Sequence, residues 1–527
     1  MLKNYLKTAY RILTRHKLYT AINIFGLAIG LALCLIVIGH ISYECSFEDS
    51  HINKDRIYRI NGTYTSVDTV FYRSRVMPPL GQALKEEIPE IEKAAVFRVL
   101  GDIDLQIGES SFSSDGYKQH GFEHDGNVFC ANPDFLQVFT VPLVQGDPNT
   151  ALNEPFSILI SEKAVAEYFG DKNPMGQIVK INDDLVCQVT GIMKNLPENT
   201  QIYCDFIVSY ASLESIGEDT KSWDNFDTDY VYLLLRNDVD PETVRWKIPG
   251  ILKQYMGDAT AKKYTFELQP LKDIYFSYYG SGRYGDLAPH GEISMMYEIG
   301  FVAAFILLLA IANFINLSTA RSADRMREVG MRKVFGAPRR QLIGQFLGES
   351  ILITFISVMI GIALYELFKF QVSSSFMPRE AFVDFYNSSL MLMLLAGLIL
   401  VVGIIAGFYP ALYLSRFKPI TILQQKVGFK SSKSILRKVL VVFQFSIAVM
   451  FICCTIILYS QITYMTSIER GFRIDDIIIV DFAGDKASDN CRIAKAELAK
   501  DQHIHQATVT NNPPGRQSYA YYGYYRD

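Results

Sequence analysis

Five stretches of this chain are long and apolar enough to cross a lipid bilayer, which takes about 20 apolar residues in a helix. They run Ala21–Ile41, Ile299–Ala320, roughly Ile343–Phe368, Phe385–Ser415 and Val439–Ile468. Glu349 and Glu366 fall in the third, toward its ends, where a carboxylate costs much less than at the bilayer centre. Helices buried in a soluble core would explain the apolar runs but not their flanks. Residues 1–19 carry five bases and no acid, residues 42–294 carry 39 acids against 22 bases, and residues 416–438 carry seven bases and no acid. The net charge of -4 conceals this partition. With 49% hydrophobic and 20% charged residues, the chain is neither disordered, nor collagen-like, nor a small disulfide scaffold. The expected fold is an α-helical transmembrane protein with a large mixed α/β extracytoplasmic domain.

Lys and Arg in short flanks set orientation. The 321–340 segment holds seven bases against two acids, whereas 369–384 holds two of each. Basic and non-basic loops therefore alternate, which places the N-terminus in the cytoplasm. The expected order is a cytoplasmic helix (1–19), a span (20–41), an external domain (42–294), a span (295–320) and a cytoplasmic loop (321–342). A span (343–369), a short external loop (370–387), a span (388–415), a basic linker (416–438), a span (439–462) and an external segment (463–527) follow. The first span exceeds a signal-peptide h-region and no small-x-small site follows it. Ahead of it, Leu2, Tyr5, Leu6, Ala9 and Leu13 repeat at helical spacing beside Lys3, Lys7, Arg11 and Arg15. That pattern suits an amphipathic helix on an anionic leaflet, beyond what a merely basic flank requires.

Within the external domain, Ser157–Ile192 is the most legible passage. Ile158–Ile160 reads as a strand, and Ser161 as the cap of a short helix with Ala164, Val165, Tyr168 and Phe169 on one face. Gly170 suits the left-handed position that ends it, Asn173-Pro174 turns the chain, and Ile178–Ile181 and Leu185–Ile192 read as paired strands. Cys45, Cys130, Cys187 and Cys204 allow three full disulfide connectivities and favour none.

Three motif strings bear on chemistry. His120-Gly-Phe-Glu123-His124 fits H-x-x-E-H, but zinc catalysis needs both imidazoles on one helix face, and Gly121 with Asp125-Gly126 argues for a loop. Gly280-Ser-Gly282-Arg-Tyr-Gly285 fits G-x-G-x-x-G, yet Ala288-Pro289 follows where a phosphate cradle needs a helix N-terminus. No G-x-x-x-x-G-K-[ST] occurs, so a P-loop ATPase is excluded. No catalytic residue, metal ligand or nucleic-acid surface is assigned.

In the first span, Gly26-Leu-Ala-Ile-Gly30 is a G-x-x-x-G, whose small residues let helix backbones approach closely. Asn313 and Asn316 in the second span can bond across helices, although ordinary packing would use the same residues. No file of buried carboxylates or histidines crosses the spans, which argues against a proton-coupled carrier.

Ala312–Arg321, then Arg327-Glu-Val-Gly-Met-Arg-Lys-Val-Phe-Gly-Ala-Pro-Arg-Arg340, then Gln345–Ser350 resembles the FtsX-type domain of MacB-like ABC transporter permeases. Gly407-Phe-Tyr-Pro-Ala411 and Ser415–Pro419 are similar to that domain's last span and exit. Asn132–Phe139, Gly146-Asp147-Pro148, Glu162–Gly170 and Val189–Pro197 resemble the MacB-like periplasmic core domain. A weak internal repeat accompanies this. Shifted by 420 residues, Phe25 and Ala28 meet Phe445 and Ala448, while Asp55, Ile57 and Ile60 meet Asp475, Ile477 and Val480. By resemblance to two-copy permeases, the chain would end inside a second external domain.

The resemblance implies mechanical work in a bacterial inner membrane. A cytoplasmic ABC ATPase would dock on the 321–340 loop and bind the ATP, leaving this chain with no cofactor of its own. The expected coupling residues are Glu328, Val329, Gly330, Met331, Arg332, Lys333, Gly336 and Arg339. Glu328, Arg332 and Lys333 offer charged contacts, Val329, Met331 and Val334 an apolar anchor, Gly336 a stop, and Pro338 the start of the next element. Efflux or mechanotransmission to the external domain is the expected function, with the bilayer and envelope proteins as further partners. A non-transporting permease that regulates an envelope enzyme is the alternative, and a membrane-anchored zinc enzyme the weakest.

Overall fold

The structure is a computed structural model. It describes residues 17–66, 70–100, 104–107, 110–113, 128–182, 185–277, 287, 290–320, 329–372, 389–415, 435–468, 478, 480 and 487–510. The chain separates into two compact units, one of Met1–Cys45 with Glu292–Ile474, the other of Ser46–Gly291 with Asp475–Asp527.

The first unit contains α1 (Lys17–Glu44), α2 (Ile293–Ala320), α3 (Arg339–Val372), α4 (Ser389–Ser415) and α5 (Ile435–Ser467). All five are long and apolar enough to cross a membrane. α1, α2, α3 and α5 each begin or end a turn or so beyond the apolar run, because the backbone ladder continues past the last apolar side chain, while α4 begins four residues inside its run. In α1 the two faces serve different neighbours. A Cβ on Gly26 would lie 3.4 Å from Asn313 Nδ2, and one on Gly30 only 2.9 Å from the Ala310 Cβ, both on α2. On another face, a Cβ on Gly361 of α3 would come 3.3 Å from the Ala28 carbonyl and 3.4 Å from the Ala32 amide. Small residues on both sides thus let α1 sit close to α2 and α3 at once. Leu27, Leu31 and Leu35 join Phe314, Ile353, Tyr365 and Val402 in the buried core between these helices and α4.

The second unit is built on one mixed sheet. Its strands are β1 (Ile57–Thr65), β2 (Val70–Arg73), β3 (Ile91–Leu100), β4 (Asp104–Ile107), β5 (Ser110–Ser113), β6 (Val128–Ala131) and β7 (Leu143–Gln145). They continue with β8 (Ser157–Ser161), β9 (Ile178–Ile181), β10 (Leu185–Met193), β11 (Phe206–Ser209), β12 (Tyr230–Leu235) and β13 (Tyr264–Pro270). The order is β13-β1-β12-β3-β6-β11-β8-β10-β9-β4-β5, with β2 beside β1 and β7 beside β10. β6–β11 and β8–β10 are parallel, and the other pairs are antiparallel.

Successive side chains in a strand point to opposite faces. Tyr230, Tyr232 and Leu234 enter one core with Phe97, Phe129 and Ile207. Val231, Leu233 and Leu235 enter another, covered by the Leu80–Glu87 and Pro241–Met256 helices. Farther along that second face, Val128, Ile158, Ile160 and Val208 form a third core. Being covered on both sides, the central strands read as unbroken apolar runs such as Tyr-Val-Tyr-Leu-Leu-Leu rather than alternating ones.

The Ser157–Ile192 passage follows its sequence pattern. Ser161 Oγ accepts from the Ala164 amide at 3.0 Å, and Gly170 closes the helix at φ +57°. One detail differs. After a single α-turn at Glu162–Ala164, the helix widens to a π-turn over Val165–Phe169, ending in a Gly170 amide bond to the Val165 carbonyl. Cys130, Cys187 and Cys204 are buried and unbridged in the core, and Cys45 is a free, exposed thiol. The 1–16 part of the amphipathic segment, the His120–His124 string and the Gly280–Gly285 string lie outside the described residues.

Candidate functional site: the hairpin between α2 and α3

Residues 329–334 form a helical turn that a tight reversal joins to α3. The reversal is a Schellman closure. The Ala337 amide bonds the Arg332 carbonyl at 3.0 Å, and the Gly336 amide bonds the Lys333 carbonyl at 3.0 Å. Gly336 takes φ +88°, which a side chain rarely tolerates. The Pro338 carbonyl then accepts from the Gln341 amide, opening α3.

This hairpin is pinned from beneath. Val329 is 2% exposed and packs with Leu342, Phe346 and Ala411, so it serves as an internal wedge and not as the outward anchor expected of it. Gly330 is buried beside it. Arg332 Nη1 donates to Gln345 Oε1 on α3. Lys333 Nζ donates 2.6 Å to the Ser415 carbonyl, and Arg339 Nε donates 3.1 Å to Ser415 Oγ. Two cations thus sit at the C-terminus of α4, where the unpaired carbonyls concentrate negative potential. Partial burial and the nearby Arg339 charge lower the Lys333 pKa.

What faces outward is a row of apolar side chains. Met331 is 61% exposed, Val334 60% and Phe335 89%. Their i, i+3, i+4 spacing places them on one side of the turn, with Arg340 exposed nearby. Phe335 is not among the coupling residues the sequence pattern assigns, although its spacing from Met331 is legible in it; nor is Ser415, which no local pattern marks. Glu328 lies outside the described residues.

Behind the hairpin, α3 and α4 approach closely. A Cβ on Gly403 would stand 3.0 Å from Ile351 Cα, and one on Gly407 would stand 2.6 Å from Ser350 Oγ. Asn313 faces Gly26, while Asn316 Nδ2 donates to Gln444 Oε1 of α5 at 2.9 Å. Among the described residues, no group of three or more His, Cys, Asp or Glu is placed to hold a metal.

Five helices long and apolar enough to cross a membrane, in one chain with a mixed-sheet domain, define a helical membrane protein with a large extramembrane domain. Residues 20–250 match the MacB-like periplasmic core domain, and residues 300–419 match the FtsX-like permease C-terminal domain. The chain belongs to the MacB-like and FtsX-like ABC transporter permeases. Among its relatives is the pyoverdine export ATP-binding/permease protein PvdT of Pseudomonas putida, 23% identical over 79% of this chain and 59% of that protein. Another is the uncharacterized ABC transporter permease YknZ of Bacillus subtilis, 24% identical over 49% of this chain and 61% of that protein. The chain therefore spans about three-fifths of the length of these curated relatives. Of solved structures, a domain of a putative permease protein from Porphyromonas gingivalis is 22% identical, covering 42% of this chain and 92% of its own, with a TM-score of 0.34.

Proposed function

We propose that this chain transmits ATP-driven motion from a separate cytoplasmic ATPase to its mixed-sheet domain, in efflux or mechanotransmission. The observation that carries this reading is the hairpin. Its apolar row of Met331, Val334 and Phe335 is unburied, while Val329, Arg332, Lys333 and Arg339 brace it against α3 and α4. A rigid mount beneath an exposed apolar knob suits a docking element that must pass force without deforming. The ATP would be held by the partner, since this sequence contains no P-loop. The basic flanks favour an inner-membrane placement with the N-terminus and hairpin in the cytoplasm and residues 42–294 outside.

The test replaces Met331 and Phe335 together by Ser in the full-length chain. Both are exposed, so insertion and expression should be unchanged. Co-purification with the ATPase should fall about tenfold or more, as expected when central apolar anchors are lost. Undiminished co-purification would move docking away from the hairpin, and ATP hydrolysis by the purified chain alone would refute the reading.

A further inference from the structure

On the helix-covered face of the sheet, the second and third apolar cores meet at Tyr210, and a groove of about 380 Å3 opens there. That volume suits one compact molecule more than an extended peptide. Val96 of β3, 4% exposed, lines its inner side with Asn132 and Tyr210. The polar groups at this depth are already committed. Asn132 Nδ2 donates 2.8 Å to the Ala94 carbonyl, its Oδ1 accepts from the Val96 amide at 3.1 Å, and the Tyr210 hydroxyl donates to Asp229.

The remaining lining combines aromatic rings with carboxylates. Trp223 and Tyr255 stack with ring centroids 4.8 Å apart and planes 16° apart, and Tyr255 is 42% exposed. From the Leu80–Glu87 helix, Gln82 and Glu86 reach the groove one turn apart. Glu86 accepts from Gln82 Nε2, a neutral amide, and no Lys or Arg pairs with it among the described residues. Lys85 beside it turns instead to Asp134. Glu214 accepts from Thr220 Oγ1 at 2.8 Å and from Lys221 Nζ at 2.9 Å. The protein thus already sets one ammonium, that of Lys221, against a carboxylate of this groove.

Aromatic faces attract cations, and a carboxylate without a basic partner can receive an ammonium through a charge-assisted bond. An anion would be repelled by Glu86, and a neutral ligand would leave its charge unused. Residues 42–294 carry 39 acids against 22 bases, a surrounding field that favours the same sign of ligand. We propose that this groove binds a small organic cation, an alkyl or aryl ammonium, whose apolar body lies against Trp223 and Tyr255 and whose ammonium meets Glu86. The site belongs to the mixed-sheet unit alone and is independent of the coupling role of the hairpin.

The test uses the full-length chain in a neutral detergent with Trp246→Phe, which leaves Trp223 as the sole indole. Trp246 is 74% exposed and does not line the groove. Phenethylammonium should change Trp223 emission saturably, while 2-phenylethanol, similar in shape but uncharged, should bind about tenfold more weakly or worse. Glu86→Gln should weaken phenethylammonium about tenfold and leave 2-phenylethanol unaffected, whereas Tyr255→Ala should weaken both. Both residues are exposed enough that the thermal midpoint of the mixed-sheet unit should stay at the parent value, which controls for misfolding. No saturable change at millimolar phenethylammonium, equal affinity for the amine and the alcohol, or undiminished binding by either variant would overturn the proposal. Tighter binding of a Lys-Phe-Lys tripeptide than of phenethylammonium would assign the groove to a basic protein segment and overturn the small-ligand assignment.

Discussion

Asp205 shows how far a residue's chemistry depends on neighbours distant in sequence. It is 4% exposed, accepts one hydrogen bond from Ser161 Oγ at 2.6 Å, and its second carboxylate oxygen has no partner. Burial raises its pKa above the ordinary 3.8, against the lowering effects of Ser161 and Lys163. The folded state therefore binds this proton more tightly than the unfolded chain does. The stability it contributes is fully present below 3.8 and is lost as pH rises through the raised folded value. Asp205→Asn should remove that loss, so that stability falls less between pH 4 and pH 7 in the variant than in the wild type. Denaturant unfolding followed by tryptophan fluorescence can measure it, because both tryptophans, Trp223 and Trp246, lie in the mixed-sheet unit. Parallel pH profiles would show that the Asp205 charge is not coupled to folding. Ser161 was recognisable as a helix cap from its neighbours alone; its bond to Asp205, 44 residues on, was not.

Among the elements, the helices associate where they lack side chains. Gly26 and Gly30 let α1 meet α2, Gly361 lets α3 meet α1, and Gly403 and Gly407 let α4 meet α3. In lipid, where apolar burial contributes little, this close approach supplies the packing energy. Gly30→Leu would place atoms where Ala310 already stands, at a cost of about 1–3 kcal/mol from overpacking. The expected result is a thermal midpoint of the helical unit several degrees lower, with the mixed-sheet unit melting as before. An equal fall in both transitions would mean that the two units do not unfold separately. The same rule applies in the sheet. A Cβ on Gly191 of β10 would lie 2.9 Å from the Gln145 carbonyl, and one on Gly146 would lie 2.8 Å from the Thr190 carbonyl. Two backbones cross there with no room for a side chain, which gives a physical reason for glycine in both Gly146-Asp147-Pro148 and Val189-Thr-Gly191.

For the whole molecule, the charge partition makes a topological prediction. A single cysteine at Ser113 should react with a membrane-impermeant maleimide from outside, once the eight native cysteines are replaced. A cysteine at Ala337, beside the exposed apolar row, should react only after permeabilisation. The reverse accessibilities would invert the proposed orientation and separate the hairpin from any cytoplasmic ATPase. The two units also differ in what holds them together. One has three apolar clusters on the two faces of a sheet, and the other has an apolar core between helices that glycines bring close together, with an interhelical Asn316–Gln444 bond beside it.

Hydropathy, charge bias and turn chemistry are local properties, and they determined much of this protein. The five spans, the mixed α/β domain, the Ser161 cap and the Gly170 and Gly336 stops could all be read from consecutive residues. Tertiary structure alone decided which apolar residues face inward. Val329 and Phe335 are six positions apart in one short segment, yet one is buried under Phe346 and the other stands 89% exposed. Periodicity gives a helix its faces but does not say which neighbour covers each face. It also cannot pair Lys333 with the Ser415 carbonyl, 82 residues away, or Asn316 with Gln444, 128 residues away. Those pairings depend on how separate helices pack, a long-range property that no single stretch of sequence carries.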